Sequence, residues 1–252
     1  MPAPLSLPRL AWGDPTASRR ALLVHGLGSS GALMWRLGDA LATAGWHAVA
    51  IDLRGHGDAP RALDYSLAAY GADLASTRPD GGGSWDAVIG HSLGGGSSVV
   101  AAASAPDWTR RLVLIDPAIH VSGHDANVVR RSQERAFADA RLEVVQQEHP
   151  HWHPQDQELK VDAVLRSSAW AVEQTSVQNQ PWDVRAEAKT LTVPTHVIAA
   201  DPAVYSIFTG ELADDVLASN PGITMSVVEG AGHSVHRDRP EESIRQLLGV
   251  LS

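Results

Sequence analysis

Trp85-Asp86-Ala87-Val88-Ile89-Gly90-His91-Ser92-Leu93-Gly94-Gly95 decides the fold. The stretch up to Ile89 reads as a buried strand, and the small apolar residues that follow over 95–105 read as a helix. Gly90 and Gly94 stand two residues either side of Ser92. In a strand–turn–helix setting such glycines let the turn tighten and the helix pack close, which pushes the serine hydroxyl out over the sheet edge. Ser92 is therefore a candidate nucleophile on a sharp turn.

The same grammar repeats outward from this turn. Residues 21–24 form an apolar run that leads into His25-Gly26-Leu27-Gly28-Ser29-Ser30. Leu33, Leu37, Leu41 and Ala44 recur at helical spacing, and Gly45 is placed to end that helix. The run 47–52 predicts a strand closed by Arg54-Gly55-His56-Gly57, and 66–76 a helix with Ser66 as its cap. Further strands are predicted at 112–115, ending in Asp116-Pro117, at 194–200, ending in Asp201-Pro202, and at 225–228. A helix over 240–251 closes the chain. Short continuous apolar runs alternating with helices indicate an α/β fold, a mostly parallel sheet covered on both faces. Polar motifs at the C-terminal ends of strands lie where open α/β sheets bind ligands. The rhythm breaks over 118–190, which is rich in Gln, His, Arg and Glu and holds helical patterns without a convincing strand. We read it as a helical lid inserted into a core made of 1–117 and 191–252.

Bulk properties narrow the field. A chain of 252 residues suits one domain, or one domain carrying a lid. A formal net charge of −9 argues against nucleic acid or an anionic membrane as the main partner. With no cysteine there is no disulfide and no thiolate metal site. The proline-rich start, Met1-Pro2-Ala3-Pro4-Leu5, does not suit a signal peptide, and no run approaches the ~18 apolar residues of a membrane span. A cytoplasmic protein acting on a small molecule is expected, with the oligomeric state open.

A serine hydroxyl needs a base. His233, in Glu229-Gly230-Ala231-Gly232-His233-Ser234 beyond the last strand, is the candidate, with His236 the weaker alternative, supporting the loop or facing solvent. A carboxylate must then orient the imidazole. Asp116, at the end of the strand after the elbow helix, and Asp201, at the end of the following strand, both qualify, and the choice stays open. An oxyanion hole needs backbone N–H groups aimed at developing charge. Leu93 supplies one, and Leu27 or Gly26 the other.

The order of these motifs, with Asp52-Leu53-Arg54-Gly55-His56-Gly57 between the first loop and the Gly-His-Ser-Leu-Gly elbow, resembles the α/β-hydrolase superfamily over nearly the whole chain outside the lid. The resemblance implies an α/β-hydrolase fold and a capped serine hydrolase of the esterase or lactonase kind, without cofactor. Members of that superfamily usually place a few residues between the end of the strand after the lid and the acid, often as Gly-x-x-Asp, whereas here Asp201 follows Ala199-Ala200 directly. Some relatives instead carry it at the position matching Asp116. An aspartate nucleophile is excluded by Ser92. The alternatives are a C–C bond hydrolase of a ring-fission diketone and a small-molecule binding protein with little turnover.

Glu148-His149-Pro150-His151-Trp152-His153 in the lid has alternating histidines but no independent third-ligand motif, so no metal is expected. Eight tryptophans against two phenylalanines is an unusual ratio. Tryptophan offers a large contact area with one polar handle. Trp152, Trp170 and Trp182 are therefore candidate pocket walls, with Met34 and Trp35 at the pocket mouth. Such walls would suit an apolar, aromatic or macrocyclic ester. Arg54 and Asp58 are assigned to holding their turn.

Overall fold

A computed structural model describes residues 2–252. Met1, the first residue of the expected core range, lies outside them. The core is a seven-stranded sheet built from β1 (Arg9–Trp12), β2 (Arg19–Val24), β3 (Trp46–Ile51), β4 (Ala87–His91), β5 (Leu112–Ile115), β8 (Thr195–Ala199) and β9 (Ile223–Val227), in the order β1-β3-β2-β4-β5-β8-β9. Every pairing is parallel except that of β1 with β3. Strand residues alternate between the two faces. Leu22, Val24, Val88, Leu112 and Leu114 enter one hydrophobic core, and Ala21, Leu23, Ile89, Val113 and Ile115 enter the other. Both faces are buried, which is why these strands read as unbroken apolar runs.

Helices α1 (Trp35–Thr43), α2 (Leu67–Ser76), α3 (Leu93–Ser104), α9 (Gly210–Ser219) and α11 (Pro240–Leu251) cover the sheet. The Ser66 side chain caps α2 by accepting from Ala69 N–H, and Gly45 takes a φ of +81° just past α1. α3 starts at Leu93, immediately after the serine, two residues earlier than the apolar pattern indicates.

Three strands leave no clear trace in the sequence. β1 is an edge strand with Leu10 exposed, set among prolines. β6 (His120–Val121) and β7 (Trp182–Asp183) form a two-residue antiparallel ribbon, too short for any periodicity to develop. This ribbon closes the base of the segment that leaves the core after β5. Between its strands stand α4 (Gly123–Ala138), α5 (Leu142–Glu148), α6 (Pro154–Arg166) and α7 (Ala169–Gln178), and α8 (Arg185–Thr190) follows. No residue of α4 is fully buried. No described helix is long and apolar enough to cross a membrane.

Candidate active site

Ser92 sits at φ +53°, ψ −117° between β4 and α3. The flanking glycines are there for space. A Cβ on Gly94 would collide with the carbonyls of Val24 and His25, and one on Gly90 would stand 2.7 Å from the Gly94 carbonyl. Bulkier residues would force α3 off the sheet and flatten the turn that presents Ser92.

The structure brings three of the four predicted catalytic side chains together. His233 Nε2 lies 2.9 Å from Ser92 Oγ, and its Nδ1 lies 2.6 Å from Asp116 Oδ2. Asp116 is fully buried and itself has a positive φ, +36°, a conformation that aspartate tolerates better than most residues. Burial works to raise its pKa. The hydrogen bond and charge of His233, then the Ser206 hydroxyl and the Ile207 N–H, outweigh it and hold the carboxyl below the ordinary value.

Asp201, the other candidate acid, does not reach the imidazole. Its carboxylate accepts from Gly230 N–H and Ala203 N–H at 2.8 Å each, pinning the histidine loop to the end of β8. Those N–H bonds lower its pKa. The physical reason is depth: Asp201 follows the last residues of β8 out to the surface, whereas Asp116 turns inward under the loop 200–209.

Residues the sequence did not flag complete the arrangement. Ser206 Oγ donates to Asp116 Oδ1 at 2.6 Å, and Ile207 N–H donates to Oδ2 at 3.1 Å. They lie on an irregular loop, where no periodicity marks them. His91, beside the serine, has its Nε2 2.8 Å from the His233 carbonyl, which can only accept, so Nε2 carries the proton. Burial, and then the proximity of His236, His233 and Arg237, push the His91 pKa well down, so the ring stays neutral. His25 is a second neutral clamp. Its Nδ1 donates to the Gly26 carbonyl, its Nε2 accepts from Leu53 N–H, and burial lowers its pKa to about 4. Only the positions of these histidines beside glycines in loop motifs hint at such work.

Ser92, Leu93 and Leu27 share the wall of a cavity of about 470 Å³. Neither Leu93 N–H nor Leu27 N–H has an acceptor among the described residues. Leu93 begins α3, where the helix itself supplies none. Gly26 brings its backbone against the serine: a Cβ there would meet Ser92 Cβ at 3.0 Å and His91 Nδ1 at 2.9 Å. Its carbonyl is engaged by His25, and Gly26 is not on the cavity wall.

The predicted pocket residues divide. Trp182 lines the cavity and donates from Nε1 to the Ala118 carbonyl. The other four are elsewhere. Met34 is buried in the core with Leu37 and Leu41. Trp35 donates to Asp156 on α6. Trp170 is 45% exposed and meets Tyr65 edge-on. Trp152 donates to Asp238 Oδ1 at 2.7 Å, stacked on His149 and covered by Arg237. A tryptophan's bulk does not say what it will pack on: Trp35 and Trp152 are taken by contacts between the 123–178 helices and the rest of the chain, and Trp170 stays half exposed against Tyr65.

Asp238 also accepts from Gly232 N–H at 2.9 Å and lies 3.0 Å from His151 Nε2, so it joins the lid directly to the histidine loop. His236, rather than facing solvent, is buried beside His91, and Arg237 donates to its Nε2. Arg54 is buried in a two-bond pair with Asp73 of α2 and holds its turn. The histidines of the 149–153 cluster are each occupied: His149 on Trp152, His151 on Asp238, and His153 capping α6 through Gln155 N–H. No group of three or more His, Asp or Glu among the described residues is placed to hold a metal.

A model of the alpha/beta hydrolase family matches residues 21–246. The chain belongs to that family. Lipase LipV of Mycobacterium tuberculosis is 35% identical over 128 residues, covering 51% of this chain and 45% of LipV, so the chain spans about half the length of that relative. Esterase YbfF of Escherichia coli is 27% identical over 214 residues, 81% of this chain and 82% of YbfF. The enol-lactonase from Burkholderia xenovorans superposes with a TM-score of 0.78 over 97% of this hydrolase-family chain and 96% of its own, at 17% identity, a likeness of fold.

Proposed function

We propose that this hydrolase-family protein is a serine hydrolase that cleaves a carboxylic ester or lactone of an apolar small molecule. The observation that carries the reading is the continuous line from Asp116 through His233 to Ser92, opening on a cavity edged by two uncommitted N–H groups. Ser92 Oγ attacks the ester carbonyl carbon as its proton passes to His233 Nε2. The N–H groups of Leu93 and Leu27 receive the oxyanion, and Asp116 faces the imidazolium that forms. The carbonyl C–O bond then breaks and Nε2 returns the proton to the departing alcohol. Water, deprotonated by the same nitrogen, attacks the acyl-serine, and Ser92 leaves with its proton restored. His91 holds the His233 carbonyl and Asp201 holds Gly230, so the loop presents the imidazole in one position. Trp182, Val121 and Val129 form apolar walls suited to the acyl or ring portion.

The test needs no substrate. Exposure to a fluorophosphonate is followed by intact mass, beside Ser92→Ala. One adduct on the wild type, absent from the variant, is expected. No adduct on the wild type would overturn the reading in favour of a binding protein on the same fold.

A further inference from the structure

The cavity next to Ser92 has an uneven charge. Its wall includes Arg130 and His120 but no aspartate or glutamate, in a chain whose formal charge is −9. Arg130 stands on α4, and α4 residues between Gly123 and Arg130 line the cavity on which Ser92 opens. Near its start, Asp125 accepts from the Tyr205 hydroxyl at 3.3 Å, and the Tyr205 ring lies 6.2 Å from that of His233. Near its end, Gln133 packs directly on Gly28, next to Leu27. Arg130 is one helical turn before Gln133, about 5 Å along the axis. Arg130 therefore lines the same cavity, on the part of α4 that approaches the loop carrying the Leu27 N–H.

Its present partners are weak. Arg130 reaches Glu134 at 2.7 Å and Asn127 at 3.5 Å, and the Arg130–Glu134 pair is more than half exposed on both sides. Pairs of this i,i+4 type hold by a few tenths of a kcal/mol, so an incoming anion displaces Glu134 at little cost. His120 adds a ring on the same wall whose Nδ1 is buried without a hydrogen-bond partner, with Asp183 Oδ2 standing 3.8 Å from it. Around these groups the wall mixes apolar residues such as Val121, Val129 and Trp182 with neutral polar ones such as Ser122, Asn127 and Gln180.

From this we infer that the preferred substrate carries a carboxylate on its acyl portion: an apolar chain or ring in the cavity, its anionic end on Arg130, and His120 as a secondary donor. The inference rests on the serine-hydrolase reading. A guanidinium matches a carboxylate with two parallel N–H bonds, which an ammonium cannot reproduce.

The test compares 4-nitrophenyl hexanoate with the 4-nitrophenyl half-ester of adipic acid, which match in chain length and differ in the terminal carboxylate. The readout is the ratio of their kcat/KM values, in which losses common to both esters cancel. Arg130→Gln lowers the ratio (half-ester over hexanoate) roughly tenfold, the worth of one charge-assisted hydrogen bond. Arg130→Lys recovers part of it. Glu134→Gln, which frees the guanidinium, raises it. A ratio unmoved by Arg130→Gln, with hexanoate still cleaved, overturns the carboxylate inference alone. Failure to cleave either ester, together with no fluorophosphonate adduct, overturns the hydrolase reading and this inference with it.

Discussion

Replacing Asp116 by Asn puts the proposed relay to its most direct trial. Asp116 accepts four hydrogen bonds, from Ser206 Oγ and Ala200 N–H on Oδ1 and from His233 Nδ1 and Ile207 N–H on Oδ2. An amide has only one acceptor oxygen, so one pair of donors must face an NH₂ group. With the NH₂ toward His233, the imidazole can accept only by moving its proton to Nε2, and then it cannot take the proton of Ser92. With the NH₂ toward Ala200, Ser206 can turn and accept, but the Ala200 N–H is left without a partner. In both orientations the buried negative charge opposite the imidazolium is gone. The expected loss is on the order of 10⁴ in kcat when the tautomer is wrong. Stranded donors cost about 1–3 kcal/mol of stability.

Asp201→Asn is the comparison. That carboxylate serves two N–H groups near the surface and does not touch the imidazole. The amide keeps one of the two acceptors, so the substitution loosens the histidine loop and should lower kcat by about tenfold at most, the worth of one hydrogen bond. The assay is steady-state hydrolysis of a 4-nitrophenyl ester with the fluorophosphonate labelling rate and Tm alongside. Retention of more than a tenth of kcat in Asp116→Asn, with Asp201→Asn inactive, would refute the reasoning.

Three further outcomes follow from the same geometry. Ser92→Gly should melt above Ser92→Ala, because glycine relieves a positive-φ strain worth about 1–3 kcal/mol that alanine keeps; equal Tm values would contradict this. Trp152→Phe removes the lid's hydrogen bond to Asp238 while keeping a ring under Arg237, and should lower stability by about 1 kcal/mol and kcat severalfold; an unchanged kcat would free the histidine loop from the lid. Acid should destabilise the fold well above the carboxylate range. His25 and His56 are held neutral by burial, with pKa values lowered to about 4 and about 3, so below pH ~6.5 the unfolded chain binds protons that the folded one refuses. Stability is then complete above pH ~6.5 and falls on the order of 1 kcal/mol per pH unit for each histidine, until the pH nears its folded value. A denaturant midpoint flat between pH 6.5 and 5 would speak against it.

The sequence by itself determined the six parallel strands of the sheet and their turns, but not the antiparallel edge strand β1. Apolar runs such as 21–24 and 112–115 have one stable home, a parallel sheet buried on both faces, and glycines such as Gly90 and Gly94 permit the backbone contact that only a sharp strand–helix turn requires. Ser92, His233 and the loop of Leu27 were legible because they sit at fixed places in that grammar. What lay beyond it depended on contacts between distant segments. Asp116 and Asp201 end adjacent strands with the same Asp-Pro, and only the loop 200–209, folding Ser206 and Ile207 down onto Asp116, separated an inward carboxylate from an outward one. Trp152 and Trp182 are alike as residues. One was taken by Asp238 and Arg237 and the other by the cavity, because the lid's docking on the core, a property of the folded surfaces and not of local pattern, set which wall each could reach.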